Sequence, residues 1–285
     1  MVVILGVTGV LGKLILENFE IYDPKLGALH LVWYRMGIAF LALAFFLAFK
    51  KQLFSVSKKD FLGLLGVGAL VTFHWLCFFE SINVSTVSVA VVCLATSSLF
   101  SALIEPFFFK RKFLYYEVIM GVIVVVALAF IMGTETKYFL GYFYGIMAAL
   151  LATLFTLFNA KYIKKVGAAK ITMIEMLSGL IIISCILLFK QDYSVFTTKI
   201  TITDLSYLII LGVLCTALVF VWLTEIMRHI TAYSLIMAIN LEPIYSIVLA
   251  LIIFGDKELM SVSFYFGSCI IIGIVFLDGY LKNRQ

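Results

Sequence analysis

Four ionisable side chains, Lys13, Arg35, His74 and Glu242, stand inside long apolar stretches of this sequence. An ionisable group at the centre of a lipid bilayer costs about 2.5–3.5 kcal/mol, so such groups are kept for binding, proton transfer or ion pairing. Three of these groups are basic and one is acidic. Together they bring both signs of charge, which suits a zwitterionic ligand such as an amino acid better than a lipophilic cation.

Glu242 is the acid expected deepest in its apolar stretch. It follows the start of that stretch, near residue 232, by about 15 Å of helix. Pro243 comes next and frees the carbonyl group of Ile239, and Asn240 lies close by. Glu242 is then either a protonatable carboxylate that contacts a substrate amine or carries a coupling proton, or a structural acid that stays neutral or pairs with a cation.

The three basic side chains also have two interpretations each. His74, beside Trp75, either binds substrate or relays a proton, or else it forms a structural hydrogen bond between helices. Lys13 and Arg35 are expected in the outer half of the membrane, where they either hold a substrate carboxylate or act structurally. In the structural case Lys13 extends towards Glu17 and Arg35 ties helices together. The aromatic candidates for a cavity wall are Trp33, Tyr34, Trp75 and Trp222. Their alternative place is the membrane interface, which aromatic residues also favour.

Glu105 is expected near the cytosolic headgroups, close to Lys110 and Arg111. We interpret this group as a structural ion pair or a gate in preference to a substrate contact. Pro106 and Pro243 are the predicted helix breaks, because proline removes a backbone donor. The acids expected nearer segment ends, where charge is tolerated, are Glu80, Glu175 and Glu225.

These residues belong to ten apolar segments, most of them about 20 residues long, which is the length that crosses about 30 Å of hydrocarbon as a helix. The chain has 285 residues, is 64% hydrophobic and has a mean hydropathy of +1.16. A soluble domain could not bury that much apolar surface. We therefore predict an all-α integral membrane protein with ten transmembrane helices. The segments cover about residues 2–17, 28–49, 61–81, 86–109, 114–132, 139–160, 170–189, 205–226, 232–254 and 262–280.

Lysine and arginine collect in every second gap between the segments. The gaps near residues 55, 111, 165 and 228, with the C-terminus, hold 14 of the 21 cations. Such alternation is the positive-inside pattern of a multi-pass membrane protein. It predicts a plasma membrane protein with both termini and these four loops in the cytosol.

The two halves of the chain, residues 1–132 and 139–280, are predicted to be inverted repeats of five helices each. An odd number of spans requires that the halves insert in opposite orientations, and equivalent loops do carry opposite charge bias. Glu80 and Thr86 recur as Glu225 and Thr231 with the same spacing. Inverted repeats are typical of secondary transporters, which bind substrate near the midplane between the halves.

The chain resembles the EamA family of the drug/metabolite transporter superfamily. Arg35 matches a frequent arginine in the second helix of that family, and Thr96-Ser97 stands where an early proline is expected in the fourth. Because of that departure, Glu105 and Glu242 are not symmetry mates. The remaining matching runs are Leu103 to Lys112 with Gly121, Asn240 to Tyr245, and Phe254 to Leu259 with Gly267 and Gly273.

The resemblance implies two bundles of five helices around a central cavity, alternating access, and efflux or exchange of small metabolites such as amino acids. The expected partners are a small-molecule substrate, membrane lipid and a coupling proton. The glycines Gly121, Gly267 and Gly273 indicate close helix packing, including a candidate homodimer face.

Other classes of protein find little support in the sequence. It has three histidines without an HExxH motif, no GxSxG motif and no acidic cluster, so we expect no enzyme, cofactor or metal. It has no phosphate-binding loop for an ATP-driven pump. The net charge of +5 belongs to loops that face anionic lipid, and we expect no nucleic acid partner. A channel or a membrane scaffold remains an alternative to a transporter.

Overall fold

The computed structural model describes residues 1–22, 27–52 and 56–282, with the backbone alone at 20–22, 279 and 282. Over these ranges the chain is helical and contains no β-strand. The helices are α1 Val2–Tyr22, α2 Ala28–Phe49, α3 Lys58–Val84, α4 Val87–Leu94, α5 Ser97–Phe109, α6 Tyr115–Thr134, α7 Phe139–Tyr162, α8 Ala168–Phe189, α9 Ser194–Thr197, α10 Ile202–Ile209, α11 Val219–Ile226, α12 Ala232–Ile239, α13 Glu242–Phe254 and α14 Val262–Lys282. A π-helical segment, Ile210–Leu218, joins α10 to α11.

Nine helical stretches in the described part of the chain are long and apolar enough to cross a membrane, and α14 contributes a shorter apolar stretch, Val262–Asp278. The protein is therefore a multi-pass integral membrane protein. The first predicted segment, which ended near residue 17, continues as a helix to Tyr22. Its last turns carry polar residues, and Asn18 donates a hydrogen bond to Asp204 at 2.9 Å, so this end of α1 is anchored by a polar contact.

Two of the predicted segments are each broken into a short and a longer helix. The first is α4 followed by α5, and the second is α12 followed by α13. In both, the helices have 8 and 13 residues. Thr86 caps α4 by accepting from the N–H of Val89, and Thr231 caps α12 by accepting from the N–H of Ser234. The threonine pair noted in the sequence therefore marks equivalent helix starts.

The ends of these broken segments also correspond. Lys110 follows α5 with a φ of 51°, and Gly255 follows α13 with a φ of 56°. Both positions stop their helix in a backbone conformation that favours glycine. Only the second half supplies the glycine, so Lys110 holds a conformation that costs it about 1 kcal/mol.

A second pair of helices, α2 and α8, repeats in the same manner. Each has 22 residues and follows a glycine at its N-cap, Gly27 or Gly167. Each is followed by a residue with a φ of 54°, Lys51 or Gln191. The packing repeats too: α2 contacts α8, α4 contacts α13, and α6 contacts α14, so that the last long helices of the two halves pack together.

The break in the first half does not lie at Pro106, so the prediction of a helix break there is wrong. Pro106 lies inside α5, which continues to Phe109, and the chain breaks at Ala95 and Thr96 instead. Hydroxyl groups stabilise this earlier break because they bond to carbonyls three residues back. Thr96 and Ser98 donate to the carbonyls of Cys93 and Ala95, each at 2.8 Å. Pro243, by contrast, is the second residue of α13, directly after the other break.

The glycines singled out in the sequence have different surroundings. A side chain at Gly121 would lie 2.6 Å from the Cα of Leu99, and one at Gly267 would lie 2.6 Å from Ile131. These two glycines therefore allow close helix packing within the chain. Gly273 has no such neighbour within 4 Å, and the homodimer face stays a prediction.

Candidate functional site

A cavity of about 950 Å³, a volume that includes its open part, lies between the two halves of the chain. Most of its wall is apolar. Its polar and charged wall comes from five different helical spans together with the two breaks. The candidates from the sequence that line it are Arg35, His74, Trp75, Asn240, Glu242 and Pro243.

Arg35 on α2 is the buried cation of this cavity, with 1% of its surface exposed. Its Nε donates to the hydroxyl of Thr216 at 2.6 Å, and its Nη2 donates to the carbonyl of Cys215 at 3.3 Å. The guanidinium carbon lies 3.7 Å from the centre of the Trp75 ring and 5.5 Å from that of Phe79. Nη1 is buried without a hydrogen-bond partner. Arg35 is therefore held rigidly, with one donor left for another acceptor.

The π-helical segment explains how Thr216 comes to face Arg35. The Thr216 hydroxyl donates to the carbonyl of Leu211, five residues earlier, at 2.6 Å. In a π-helix the wider turn changes which residues share a face, and such segments often occur at functional sites.

Glu242 is the first residue of α13 and is 6% exposed in the cavity wall. The positive end of the α13 dipole favours a negative charge there. Arg35 lines the same cavity as Glu242. Next to it, the Asn240 amide donates to the carbonyl of Ala95 at 3.4 Å. The two breaks therefore contact each other, and each lies at the corresponding position of its own half.

His74 on α3 completes the polar wall of the cavity. Its Nδ1 lies 2.8 Å from the carbonyl of Ala148. The ring of Phe155 meets it edge-on at 5.4 Å between centres, and Phe78 stacks on it at 6.3 Å. The structure thus brings together Glu242, Asn240, Arg35, His74 and Trp75, which the sequence placed on three separate segments.

Lys13 lies away from this cavity, in an ion pair with Glu258. Its Nζ is 2.7 Å from Glu258 Oε1. Glu258 is fully buried and also accepts hydrogen bonds from the N–H groups of Val87 and Ser88 and from the Ser88 hydroxyl. We call this group the Glu258 clasp. It ties α1 and the first turn of α4 to the turn that follows α13.

Glu105 forms a comparable group, the Glu105 clasp, at the other broken segment. It accepts a hydrogen bond from the N–H of Tyr233, in the first turn of α12, at 2.7 Å, and another from the Ser101 hydroxyl at 3.3 Å. The Nε of Arg111 lies 3.4 Å from Glu105, and a second guanidinium nitrogen is paired with Glu117. Lys110 lies outside this group as the exposed residue after α5.

Several parts of the wall were not predicted from the sequence. Phe155, Phe220 and Asn159 line the cavity, whereas Trp33 packs against Phe196 and Trp222 is 44% exposed. The aromatic wall is therefore mainly phenylalanine. Aromatic type alone could not reveal it in a chain with 27 phenylalanines. Tyr34, the remaining aromatic candidate, bonds to the carbonyl of Val195 outside the wall.

Glu175 on α8 is also different from its prediction. It was expected near a segment end, where charge is tolerated, but it is fully buried, with 0% of its surface exposed. It occupies the place in α8 that Arg35 occupies in α2, because both lie eight residues after the capping glycine. This equal spacing from the two glycines was the sequence signal that Glu175 lies as deep in its helix as Arg35. The other two acids of that group differ from it: Glu225 is exposed and pairs with Arg228 at 2.7 Å, and Glu80 is half-buried.

At the end of α2 opposite the basic loop near residue 55, His30 forms a further link. Its Nε2 lies 2.9 Å from Asp192 and 3.0 Å from the Ser194 hydroxyl. Partial burial tends to raise the pKa of Asp192, but hydrogen bonds from Ser194 and the neighbouring His30 outweigh it and leave that pKa below its ordinary value. No group of three or more histidine, cysteine or acidic side chains that could hold a metal occurs among the residues that the structure describes.

Comparisons with known proteins agree with this architecture. The model of the EamA-like transporter family matches residues 1–133 and again residues 139–278. A solved crystal structure aligns over 98% of this chain and 98% of its own with a TM-score of 0.68, at 11% sequence identity, which shows a shared fold. No curated protein matches the sequence. Since the family model covers nearly the whole chain in two halves, the chain belongs to the EamA-like transporter family.

Proposed function

We propose that this protein is a secondary transporter that exports or exchanges small zwitterionic metabolites, best exemplified by amino acids. In this proposal its ten spans form two inverted five-helix halves that give access to the cavity from each side in turn. The protein resides in the plasma membrane with both termini in the cytosol. The observation that carries the proposal is a mostly apolar cavity with a rigid arginine and a buried acid in its wall.

The arrangement of Arg35 suits a carboxylate ligand. Its Nη1 is a buried donor without a partner, and an unsatisfied buried donor costs about 1–3 kcal/mol. A substrate carboxylate recovers that cost when it accepts from Nη1. The other guanidinium bonds and the Trp75 ring fix the direction of the donor, so little side-chain entropy is lost on binding.

Glu242 supplies the opposite charge for a substrate amine or a proton. It is the first residue of α13 and directly follows the break between α12 and α13, where Asn240 lies. A proton and an amine would compete for the same carboxylate, which is a simple means of coupling proton flow to substrate exchange. The phenylalanines Phe155 and Phe220 offer an apolar surface to the rest of the substrate.

The test is uptake and counterflow of radiolabelled amino acids in proteoliposomes, with and without a proton gradient. We expect internal unlabelled substrate to accelerate uptake of the label, which a channel does not do. Arg35→Gln should reduce affinity at least tenfold, whereas Lys13→Ala, outside the cavity, should leave affinity unchanged. Glu242→Gln should remove the pH dependence.

Two results would contradict the proposal. One is stabilisation by quaternary ammonium ions but by no amino acid in thermal-shift screening. The other is saturable amino acid uptake with wild-type affinity in Arg35→Gln. The orientation in the membrane can be tested with single cysteines introduced by mutation. Those near residues 23, 136, 195 and 257 should react with an external impermeant reagent, and those near 55 or 165 should not.

A further inference from the structure

Glu175 is a buried carboxyl group that the proposed binding of substrate does not use. Both of its oxygens are buried without a hydrogen-bond partner. Three further buried oxygens in the described part of the chain share this condition: the hydroxyl of Tyr142, Oδ1 of Asn159, and the hydroxyl of Thr172, which precedes Glu175 by three residues on α8. Unpartnered buried polar groups are few in a well-packed protein, and each requires an explanation.

No described cation is placed to neutralise Glu175. α8 packs against α2, α3 and α11. The basic groups that α2 and α3 place in the cavity wall, Arg35 and His74, do not form a hydrogen bond with Glu175. Arg35 is bound to Thr216, and His74 lies against the carbonyl of Ala148. The remaining charged groups on or near these elements have other surroundings: Glu225 pairs with Arg228, Lys161 of α7 lies over Phe108, and Lys170 stands at the half-buried start of α8.

The side chain of Asn159 is a neighbour of the Glu175 carboxyl group, and it also lines the cavity. An ionised carboxylate without a paired cation is strongly disfavoured in a dry interior. A protonated carboxyl group, however, has an O–H to donate, and the unpartnered Asn159 Oδ1 is an acceptor. Protonation therefore removes a buried charge and satisfies the asparagine at the same time.

We propose that Glu175 is a proton-binding site, and that Asn159 transmits its protonation state to the cavity. In the protonated state the Glu175 O–H donates to Asn159 Oδ1. When the proton leaves to water in the cavity, the asparagine amide turns and its Nδ2 donates to the carboxylate. Because Asn159 is part of the cavity wall, this turn replaces a donor by an acceptor at the wall, or the reverse.

The position of Glu175 supports this inference independently. It corresponds to Arg35 in the other half, so one half presents a fixed positive charge where the other presents a titratable acid. The binding of a proton does not depend on the proposed transport. The use of that proton for coupling does rest on the proposed function.

Infrared spectroscopy of the purified full chain tests the proton site directly. Near neutral pH we expect a carbonyl band of a protonated carboxylic acid that is lost in Glu175→Gln and kept in Glu242→Gln. In Asn159→Leu the band should remain but move to higher frequency, because the acid loses its hydrogen-bond acceptor. Glu225→Gln, which changes an exposed acid, should have the wild-type spectrum.

An unchanged acid band in Glu175→Gln would overturn the proposal. If Glu175→Gln does not fold, an unshifted band in Asn159→Leu overturns it equally. The coupling role is read separately from the pH profile of counterflow, which should flatten in Glu175→Gln. Absence of transport by the wild-type protein would refute the proposed function, while the infrared bands would still decide the proton site.

Discussion

The Glu258 clasp and the Glu105 clasp each join the two halves of the chain at the start of a short helix, but they differ in the number of bonds that they form. In each, a carboxylate from one half accepts backbone N–H groups in the first turn of the short broken helix of the other half. Acids are favoured there by the helix dipole. Glu258 receives four donors, including an aligned lysine, whereas Arg111 approaches Glu105 at 3.4 Å and is shared with Glu117.

Because of this difference, we expect the two clasps to open with different ease. Both cross between the halves, and both are formed in this structure. If the halves move relative to each other during transport, at least one clasp must open in each cycle. The group with fewer aligned bonds is the easier one to open, so we expect the Glu105 clasp to be the mobile gate and the Glu258 clasp to be the firmer closure.

The largest expected effect comes from removing the charge at each clasp. Glu258→Gln leaves Lys13 without its partner and weakens the helix cap, and should lower the free energy of unfolding by roughly 3 kcal/mol. Glu105→Gln should cost about half of that, because fewer strong bonds are lost. Thermal unfolding in detergent measures both. Glu225→Gln, at an exposed pair, is the control and should change little. An equal loss in the two clasps would remove the distinction between them.

A smaller effect should appear in the pairwise coupling of each ion pair. In double-mutant cycles, Lys13→Met with Glu258→Gln should show about 2 kcal/mol of coupling, and Arg111→Met with Glu105→Gln well below 1 kcal/mol. The reason is the contact: a hydrogen-bonded pair at 2.7 Å against one at 3.4 Å without alignment. Chemical denaturation of the four variants in each cycle gives these values. The reverse order would mean that distance and alignment do not set the strength of the clasps.

The threonine caps of the two short helices offer a third comparison. Thr86→Val and Thr231→Val should each lower stability by about 1 kcal/mol, because each removes the acceptor for a first-turn N–H. Thr86→Ser and Thr231→Ser retain the hydroxyl and serve as controls. The buried position of Thr86 should make its loss the larger one. A valine variant as stable as the wild-type protein would contradict the stabilising role of the cap.

The smallest expected effect concerns the residues that follow α5 and α13. Lys110→Gly should stabilise the protein by up to about 1 kcal/mol, since it relieves a left-handed conformation that the other half gives to Gly255. Lys112→Gly is the matched control, because Lys112 lacks a positive φ. Unfolding temperature measures the difference, and a gain from Lys112→Gly alone would exclude the backbone explanation.

Much of the fold was predictable because its causes are local. Apolar runs and alternating loop charge indicate the segments, and the repeat of Thr86 as Thr231 marks equivalent helix starts. We predicted the break of the first half at Pro106 because proline is the residue that most often interrupts a helix. In the structure α5 passes through Pro106 and ends three residues later, at Phe109. The hydroxyl groups of Thr96 and Ser98, which hold the real break, resemble ordinary polar substitutions in the sequence.

The residues of the candidate site also fall into two groups, those that local sequence could reveal and those that depend on tertiary packing. Arg35, His74 and Glu242 stood out because an ionisable residue within an apolar run has a cost. The partner of Lys13 could not be read from local sequence, because Glu258 lies 245 residues away and meets it only through tertiary packing. Glu175 was expected near a segment end, and no local feature of the sequence shows that tertiary packing buries it completely.

The π-helical segment Ile210–Leu218 has a consequence for how this protein tolerates changes in length. A wide turn is what remains when one residue is inserted into a regular helix without being expelled as a loop. Deleting one residue from this segment should therefore leave a continuous span. It would also replace the wide turn by regular helical turns, so that residues inside the segment change the face of the helix on which they lie. Thr216 could then no longer face Arg35 while the lipid-facing surface stayed in place. The wide turn thus helps to hold Arg35 in place, and sequence alignments that close the gap here would compare the wrong faces of the helix.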